Sequence, residues 1–271
     1  MKAIPDAELP IGLFDSGVGG FTVLRELKIA LPNEQYLYFG DTRNLPYGDK
    51  DPETIHKWAL GSISFLLKLR VKAIVVACNI SSSVLTEGDL YDIPVPTFTL
   101  LQSAVPNALM VTRNKRIGVL ATKAAVKTGA FRNLITAREP QAQVIYSACP
   151  RLVPLIEQGV FDGDEVEEAV RSYLKPILEA GADTVVYGCT HYPLLSNVIE
   201  RHLNGAVLVN PAKELARAVK ERLSGMNLTR KEKPPPDMFF VSRLTENFIK
   251  TAKSFLGIEI SGQVQEHVVN E

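Results

Sequence analysis

The stretch TVVYGCTHYPLL, residues 184–195, changes character part-way along. Thr184 to Tyr187 is a water-shy run with the composition of a buried strand. It stops at Gly188-Cys189-Thr190-His191, and a helix-like apolar pattern follows. The segment AIVVACNISSSVL, residues 73–85, is built the same way: Ala73 to Ala77 is apolar, Cys78-Asn79 ends it, and hydroxyl residues follow. A strand that ends on a thiol and leads into a helix is a unit of α/β proteins, whose ligands sit outside the carboxyl ends of the strands.

Working outward, strand-like and helix-like segments alternate along nearly the whole chain. Ile11 to Phe14, Gln35 to Phe39, Val95 to Phe98, Arg116 to Leu120, Val144 to Ser147, Val207 to Val209 and Met238 to Val241 are further strand candidates. Helical periodicity runs over Phe21 to Leu31, Gly163 to Ala180 and Pro211 to Ser224. Asp51-Pro52-Glu53 supplies a cap, a first-turn proline and a first-turn acid for a helix reaching about Leu69. Alternation of this kind implies parallel sheets flanked by helices. The paired cysteine motifs are too far apart for a solenoid period and suit two similar α/β lobes. The expected division is residues 1–98 with 208–271, and 99–207, with the active site in the cleft between them. MNLTRKEKPPPD, residues 226–237, reads as a surface connection back to the first lobe.

Composition narrows the function classes. The 271 residues are 46% hydrophobic and 22% charged, the range of a soluble globular protein. Thirty basic and thirty acidic residues cancel, so no global field draws the chain to nucleic acid or to an anionic membrane. No apolar run has a spanning helix's length, and MKAIPDAELP at the N-terminus lacks the core of a signal peptide. The expected location is the cytoplasm, and three cysteines, an odd number, fit reduced thiols.

Chemistry then rests on the thiols. Cys78 and Cys189 each stand just before a helix start, where backbone N–H groups favour a thiolate; the bland alternative is two buried small hydrophobes. Cys149, in SACPRLVPL, is expected to be structural. DSGVGG, residues 15–20, follows the first strand and opens a helix, so its glycines would let the backbone approach a bound anion. It is neither a P-loop nor a dinucleotide fingerprint. Asp15 is either a helix cap or a group facing the thiol. His191 can orient or protonate the group beside Cys189. A zinc site is disfavoured because the paired ligand spacings are missing. A Cys–His hydrolase would leave the second thiol unexplained.

Taken together, FDSGVGG (14–20), GDTRNLPYG (40–48), ACN (77–79), GVLAT (118–122), CPRLVPLIEQG (149–159) and GCTHYPLL (188–195) resemble the glutamate racemase family, in the order that family shows. The resemblance spans Ile11 to about Leu256. It implies a cofactor-independent enzyme of the aspartate/glutamate racemase superfamily that interconverts L- and D-glutamate for cell-wall synthesis, in two α/β lobes and usually as a homodimer. Cys78 and Cys189 match the two catalytic thiols, with Asp15, Glu157 and His191 assisting. Asp15, Ser16, Tyr47, Gly48, Asn79, Ile80, Thr122, Thr190 and His191 match substrate-holding positions. The resemblance places the Cys78 side against D-glutamate and the Cys189 side against the L-isomer.

Two features depart from the pattern. Ile80 stands where a substrate-binding threonine is expected, leaving Ser81 or Ser82 as the nearest hydroxyls. FTLLQSAVPNAL, residues 98–109, replaces a loop with a glycine-proline pair. Both changes are expected near the cleft, where they bear on selectivity for the substrate's side chain. Two fixed thiols suit racemisation, because one removes the α-proton while the other delivers a proton to the opposite face.

Overall fold

A computed structural model describes residues 6–269. Residues 1–5 and 270–271, and with them the first half of MKAIPDAELP, lie outside that description. The first part of the chain runs β1 (Ile11–Asp15), α1 (Phe21–Ala30), β2 (Tyr36–Gly40), α2 (Pro52–Lys68), β3 (Ala73–Val76), α3 (Asn79–Val84), α4 (Glu87–Asp92), β4 (Thr97–Thr99) and α5 (Leu100–Val111). The middle runs β5 (Arg116–Ala121), α6 (Lys123–Thr128), α7 (Ala130–Arg138), β6 (Gln143–Ala148), α8 (Leu152–Glu157), α9 (Asp164–Glu179), β7 (Thr184–Gly188), α10 (Ser196–Arg201) and β8 (Val207–Val209). The chain closes with α11 (Pro211–Gly225), β9 (Met238–Val241), α12 (Glu246–Thr251) and β10 (Val264–Glu266).

The strands form two sheets, one six-stranded in the order β10-β9-β2-β1-β3-β4 and one four-stranded in the order β6-β5-β7-β8. Every pairing is parallel. The fold class is therefore α/β with parallel sheets and covering helices, as the alternation implied. The strands expected from the sequence form, with their ends unchanged or shifted by up to two residues, and β10 is an addition. The segment after 226–237 returns to the first sheet, where β9 pairs with β2. Both expected lobe boundaries fall inside strands: 98/99 cuts β4, and 207/208 cuts β8, whose three residues all face β7.

Strand order positions the site. From β1 the chain winds to β2 on one side, then reverses to β3 on the other, so the switch lies between β1 and β3. In the second sheet the same reversal puts the switch between β5 and β7. Crevices at switch points, beyond the strand carboxyl ends, are where such sheets bind ligands. The four loops there begin at Ser16, Ala77, Thr122 and Cys189.

The side-chain alternation of the strands sorts residues into two apolar layers. Ile11, Leu13, Ala73, Val75, Val185 and Tyr187 belong to one layer. Phe14, Ile74, Val76, Ile117, Val119 and Val186 belong to the other. Each layer draws on both sheets, so the core continues between them rather than stopping at a boundary. Buried strands of this kind read as unbroken apolar runs because helices cover both faces. At Gly118 in β5, a Cβ would come within 2.2 Å of Ile177 on α9; only glycine permits that approach. Asp51 caps α2 as expected, accepting from the Thr54 N–H at 2.9 Å. No helix among the described residues is long and apolar enough to cross a membrane.

Candidate active site

Cys78 and Cys189 both line one cavity, which opens where the two switch points meet. Cys78 caps the start of α3, while Cys189 follows β7 directly and leads into a single 3-10 turn at Tyr192–Leu195. The thiols belong to different apolar layers. The cavity measures about 40 Å³, room for about three water molecules. A larger hollow of about 440 Å³ between α1, α5 and α11 contains no thiol; chemistry rather than size selects the smaller one.

Around Cys189 the geometry is that of a relay. His191 Nδ1 lies 3.6 Å from Cys189 Sγ, and His191 Nε2 lies 2.6 Å from Glu157 Oε1. Burial alone would pull the imidazole's pKa down. The hydrogen bonds to Cys189 and Glu157 and their charges outweigh it, so the imidazole is held well above its ordinary value and carries a proton near neutrality. Glu157 also accepts from the Val18 N–H at 3.2 Å.

Around Cys78 the environment is different. Total burial, reinforced by the charge of Asp15, pushes this thiol up to about 12. The expected thiolate-favouring effect of the helix start is therefore overturned: α3 has only 6 residues, and desolvation of a buried anion exceeds what a short helix end supplies. Hydrogen bonds from Ser81 and Ser16 offset only part of it. The Cys78 S–H points to Ser16 Oγ at 3.7 Å. Asp15 is fully buried behind the wall, with its own pKa raised by that burial.

DSGVGG does more than turn a corner, and the anion it receives belongs to the protein. None of its glycines has a left-handed φ. What each must accommodate is a neighbour: a Cβ on Gly17 would come within 2.5 Å of Glu157 Oε1, and one on Gly19 within 2.6 Å of His191 Nδ1 and Thr190 Oγ1. The loop is a seat for the residues beside Cys189.

Of the other residues expected at the site, Ser16, Tyr47, Gly48, Asn79, Ile80 and Thr122 contribute to the cavity wall, as do Thr190 and His191. Asp15 and Glu157 do not; each touches a wall residue from behind. The Tyr47 hydroxyl donates to Asp41 Oδ2 at 2.5 Å, and the Thr190 hydroxyl donates to Asp15 Oδ2 at 2.9 Å. Ser82 turns its hydroxyl onto the Val76 and Cys78 carbonyls, and Ser81 is fully buried outside the wall. Ile80 thus meets the cavity with neither serine replacing the missing hydroxyl. Residues 98–109 supply no part of the wall; they form β4's end and α5. This stretch does not line the cavity; α5 packs most extensively against α11, and also against α3, α7 and β7.

Sequence reading missed part of the wall, including Asp49, Lys123, Val153 and Cys149. Cys149 directly follows β6 and occupies a strand end after all. The signal was present, an apolar run closed by Cys-Pro, but the strand was ended at Ser147. Its thiol is buried and pushed up to about 12. Among the described residues no group of three His, Cys, Asp or Glu side chains is placed to hold a metal ion.

Residues 23–219 match the Asp/Glu/Hydantoin racemase family. The chain belongs to that family. Within the racemase family it is similar to glutamate racemase of Thermoanaerobacter sp. (strain X514), with 42% identity over 252 residues, covering 93% of this chain and 94% of that one. Glutamate racemase of Geobacter metallireducens is 41% identical over 249 residues, covering 91% and 92%. The crystal structure of glutamate racemase from Francisella tularensis subsp. tularensis SCHU S4 in complex with D-glutamate is similar along almost the whole fold. Its TM-score is 0.88 at 31% identity, with 97% of this chain and 98% of that chain covered. The racemase family match takes in Cys78, Cys189, Glu157 and His191, while Asp15 and Ser16 precede it.

Proposed function

We propose that this chain is a glutamate racemase, interconverting L- and D-glutamate without a cofactor by acting on the two faces of the α-carbon with two thiols. The observation that carries the reading is that Cys78 and Cys189, from the strand ends of different sheets, line one cavity.

In the L-to-D direction, the Cys189 thiolate takes the α-proton. The C–H electron pair passes into the α-carboxylate, and the Cys78 S–H delivers a proton to the other face. Cys189 is left as thiol and Cys78 as thiolate, and proton exchange with solvent resets them. The reverse direction exchanges the roles. The protonated state of Cys78 suits its part as the acid, and the His191 imidazolium offers the counter-charge that a thiolate on Cys189 needs. Ser16 and Asn79 offer donors to the substrate carboxylate. Thr190, its proton given to Asp15, keeps an oxygen to accept from the ammonium.

Glutamate is larger than the cavity, so entry requires the walls to part. The proposed moving units are two lobes, one holding the six-stranded sheet and the other the four-stranded sheet through β8. We assign the enzyme to the cytoplasm as a homodimer supplying D-glutamate for peptidoglycan.

The test is chiral chromatography and mass analysis of L-glutamate incubated with the protein in deuterated water. The expected result is D-glutamate carrying deuterium at the α-carbon. A glutamate pool that keeps both its configuration and its α-hydrogen overturns the reading, and conversion of aspartate instead reassigns the substrate.

A further inference from the structure

Glu157 holds the imidazole of His191, yet its own place needs holding. It is the last residue of α8, a helix of 6 residues beside the four-stranded sheet. The backbone dipole disfavours a carboxylate at a helix C-terminus. The helix closes in a tight turn, in which the Gly159 N–H donates to the Ile156 carbonyl and the Val160 N–H to the Leu155 carbonyl, each at 2.9 Å. Gly159 takes the left-handed φ of 80° that such an ending requires. One further donor reaches this turn from another element. The side-chain amide of Asn247, in α12, donates to the Ile156 carbonyl at 3.3 Å. A Cβ on Gly159 would come within 3.3 Å of Asn247 Oδ1.

α12 belongs to the other side of the molecule, between β9 and β10 of the six-stranded sheet. Its Phe248 is fully buried there, with its ring centre 4.8 Å from that of Phe21 and 5.9 Å from that of Tyr38. The Tyr38 hydroxyl in turn donates to the Gly17 carbonyl at 2.6 Å, in the same loop whose Val18 N–H meets the Glu157 carboxylate. The Thr251 hydroxyl donates to Asn247 Oδ1 at 3.3 Å, which leaves the amide nitrogen for Ile156. The Glu157 segment is thus held twice from the six-stranded sheet's side, at its carboxylate by Val18 and at its main chain by Asn247. We infer that Asn247 is a positioning residue for the reaction: its bond to Ile156 fixes the end of α8, so that Glu157 meets His191 and His191 meets Cys189. Asn247 is not part of the cavity wall, so it acts through Glu157. The inference rests on the racemase reading of the site.

The experiment compares the full-length chain with its N247A and N247L variants, the second keeping bulk while removing the donor. Each is assayed for kcat and KM with L-glutamate across pH, alone and combined with E157Q, and the His191 ring is titrated by NMR. The titratable groups facing that ring are Cys189, Glu157 and, from β1, Asp15; N247A and N247L alter none of them. Both variants are expected to lower kcat about fivefold, the worth of one neutral hydrogen bond, with KM within about twofold. The alkaline limb of the L-to-D profile and the ring's titration should both move to lower pH. Neither variant should add to the effect of E157Q. Full turnover by N247L, an unmoved limb and ring titration, or losses that add to those of E157Q overturn the inference. A wild-type protein that exchanges no α-hydrogen of glutamate overturns the racemase reading instead, and the ring titration then decides on Asn247 by itself.

Discussion

Asp15, at the end of a central strand of one sheet, accepts a 2.9 Å hydrogen bond from the hydroxyl of Thr190, which follows Cys189 out of the other sheet. The contact is fully buried and joins the two halves of the site directly behind the sulfurs. Asp15→Asn keeps the shape and removes the charge. Racemisation is expected to fall by tenfold or more, because a misplaced Thr190 shifts Cys189. Relief of a buried charge offsets the lost contact in stability. A double-mutant cycle with Thr190→Ala on kcat should give a coupling of about 0.5–3 kcal/mol; additive losses would show that the two residues act separately.

Each thiol is expected to be indispensable. Cys78→Ala and Cys189→Ala should each lower racemisation by a factor of about 10²–10⁴ or more, the range of a lost general acid or base. Following α-deuterium incorporation from each enantiomer separately tells the faces apart. Cys189→Ala should remove exchange from L-glutamate, and Cys78→Ala from D-glutamate. Full turnover by either variant would refute the two-thiol mechanism.

Glu157 acts through His191. Glu157→Gln removes a group that holds the imidazole above its usual pKa, so the imidazolium should be lost at lower pH. The expected outcome is that the alkaline limb of the L-to-D pH profile moves to lower pH, with about a tenfold fall in kcat near neutrality. A profile that drops uniformly without moving would assign Glu157 a purely structural part.

Alkaline stability follows from the buried thiols. Cys78 and Cys149 are both pushed up to about 12 by burial, from an ordinary value of 9.0. Between those values the unfolded chain has released the thiol proton and the native chain has not. Stability is therefore full below about pH 9 and falls as pH rises, by about 1.4 kcal/mol per pH unit for each thiol. Urea midpoints from pH 8 to 11 should fall less steeply in Cys149→Ala than in the parent chain. Parallel curves would contradict the burial-driven shift.

Gly19→Ala tests the seat that DSGVGG forms. The added Cβ would come within 2.6 Å of both His191 Nδ1 and Thr190 Oγ1. Overpacking of this kind costs about 1–3 kcal/mol, and the displaced dyad should lower kcat about 100-fold. An alanine variant with normal turnover would mean that this loop yields without disturbing Cys189.

How much of this was legible in the sequence depends on the scale of the cause. β1, β3 and β7 announce themselves because a strand covered on both faces must be apolar throughout, and the thiols are found by being the first polar groups after it. The 3-10 turn after Cys189 and the short span of α3 were not legible, since they depend on packing beyond the segment. Nor was the state of Cys78. Its position before a helix suggests an anion, but total burial and the charge of Asp15, which arrives from another strand, decide the outcome. The glycines of DSGVGG are legible as points of close approach, but the Glu157–His191 pair that they accommodate lies far along the chain. Asp49 and Lys123 carry no signal at all until two loops from different sheets are brought together.

The order in which the strands are made has a cost during synthesis. Tyr36–Gly40 is an inner strand only because Met238–Val241, made roughly 200 residues later, pairs along its other side. At about 5–20 residues per second on the ribosome, the nascent chain carries YLYFG as an open apolar edge for roughly ten to forty seconds. Fragments ending before residue 238 should accordingly aggregate where the complete chain does not, however intact their four-stranded sheet.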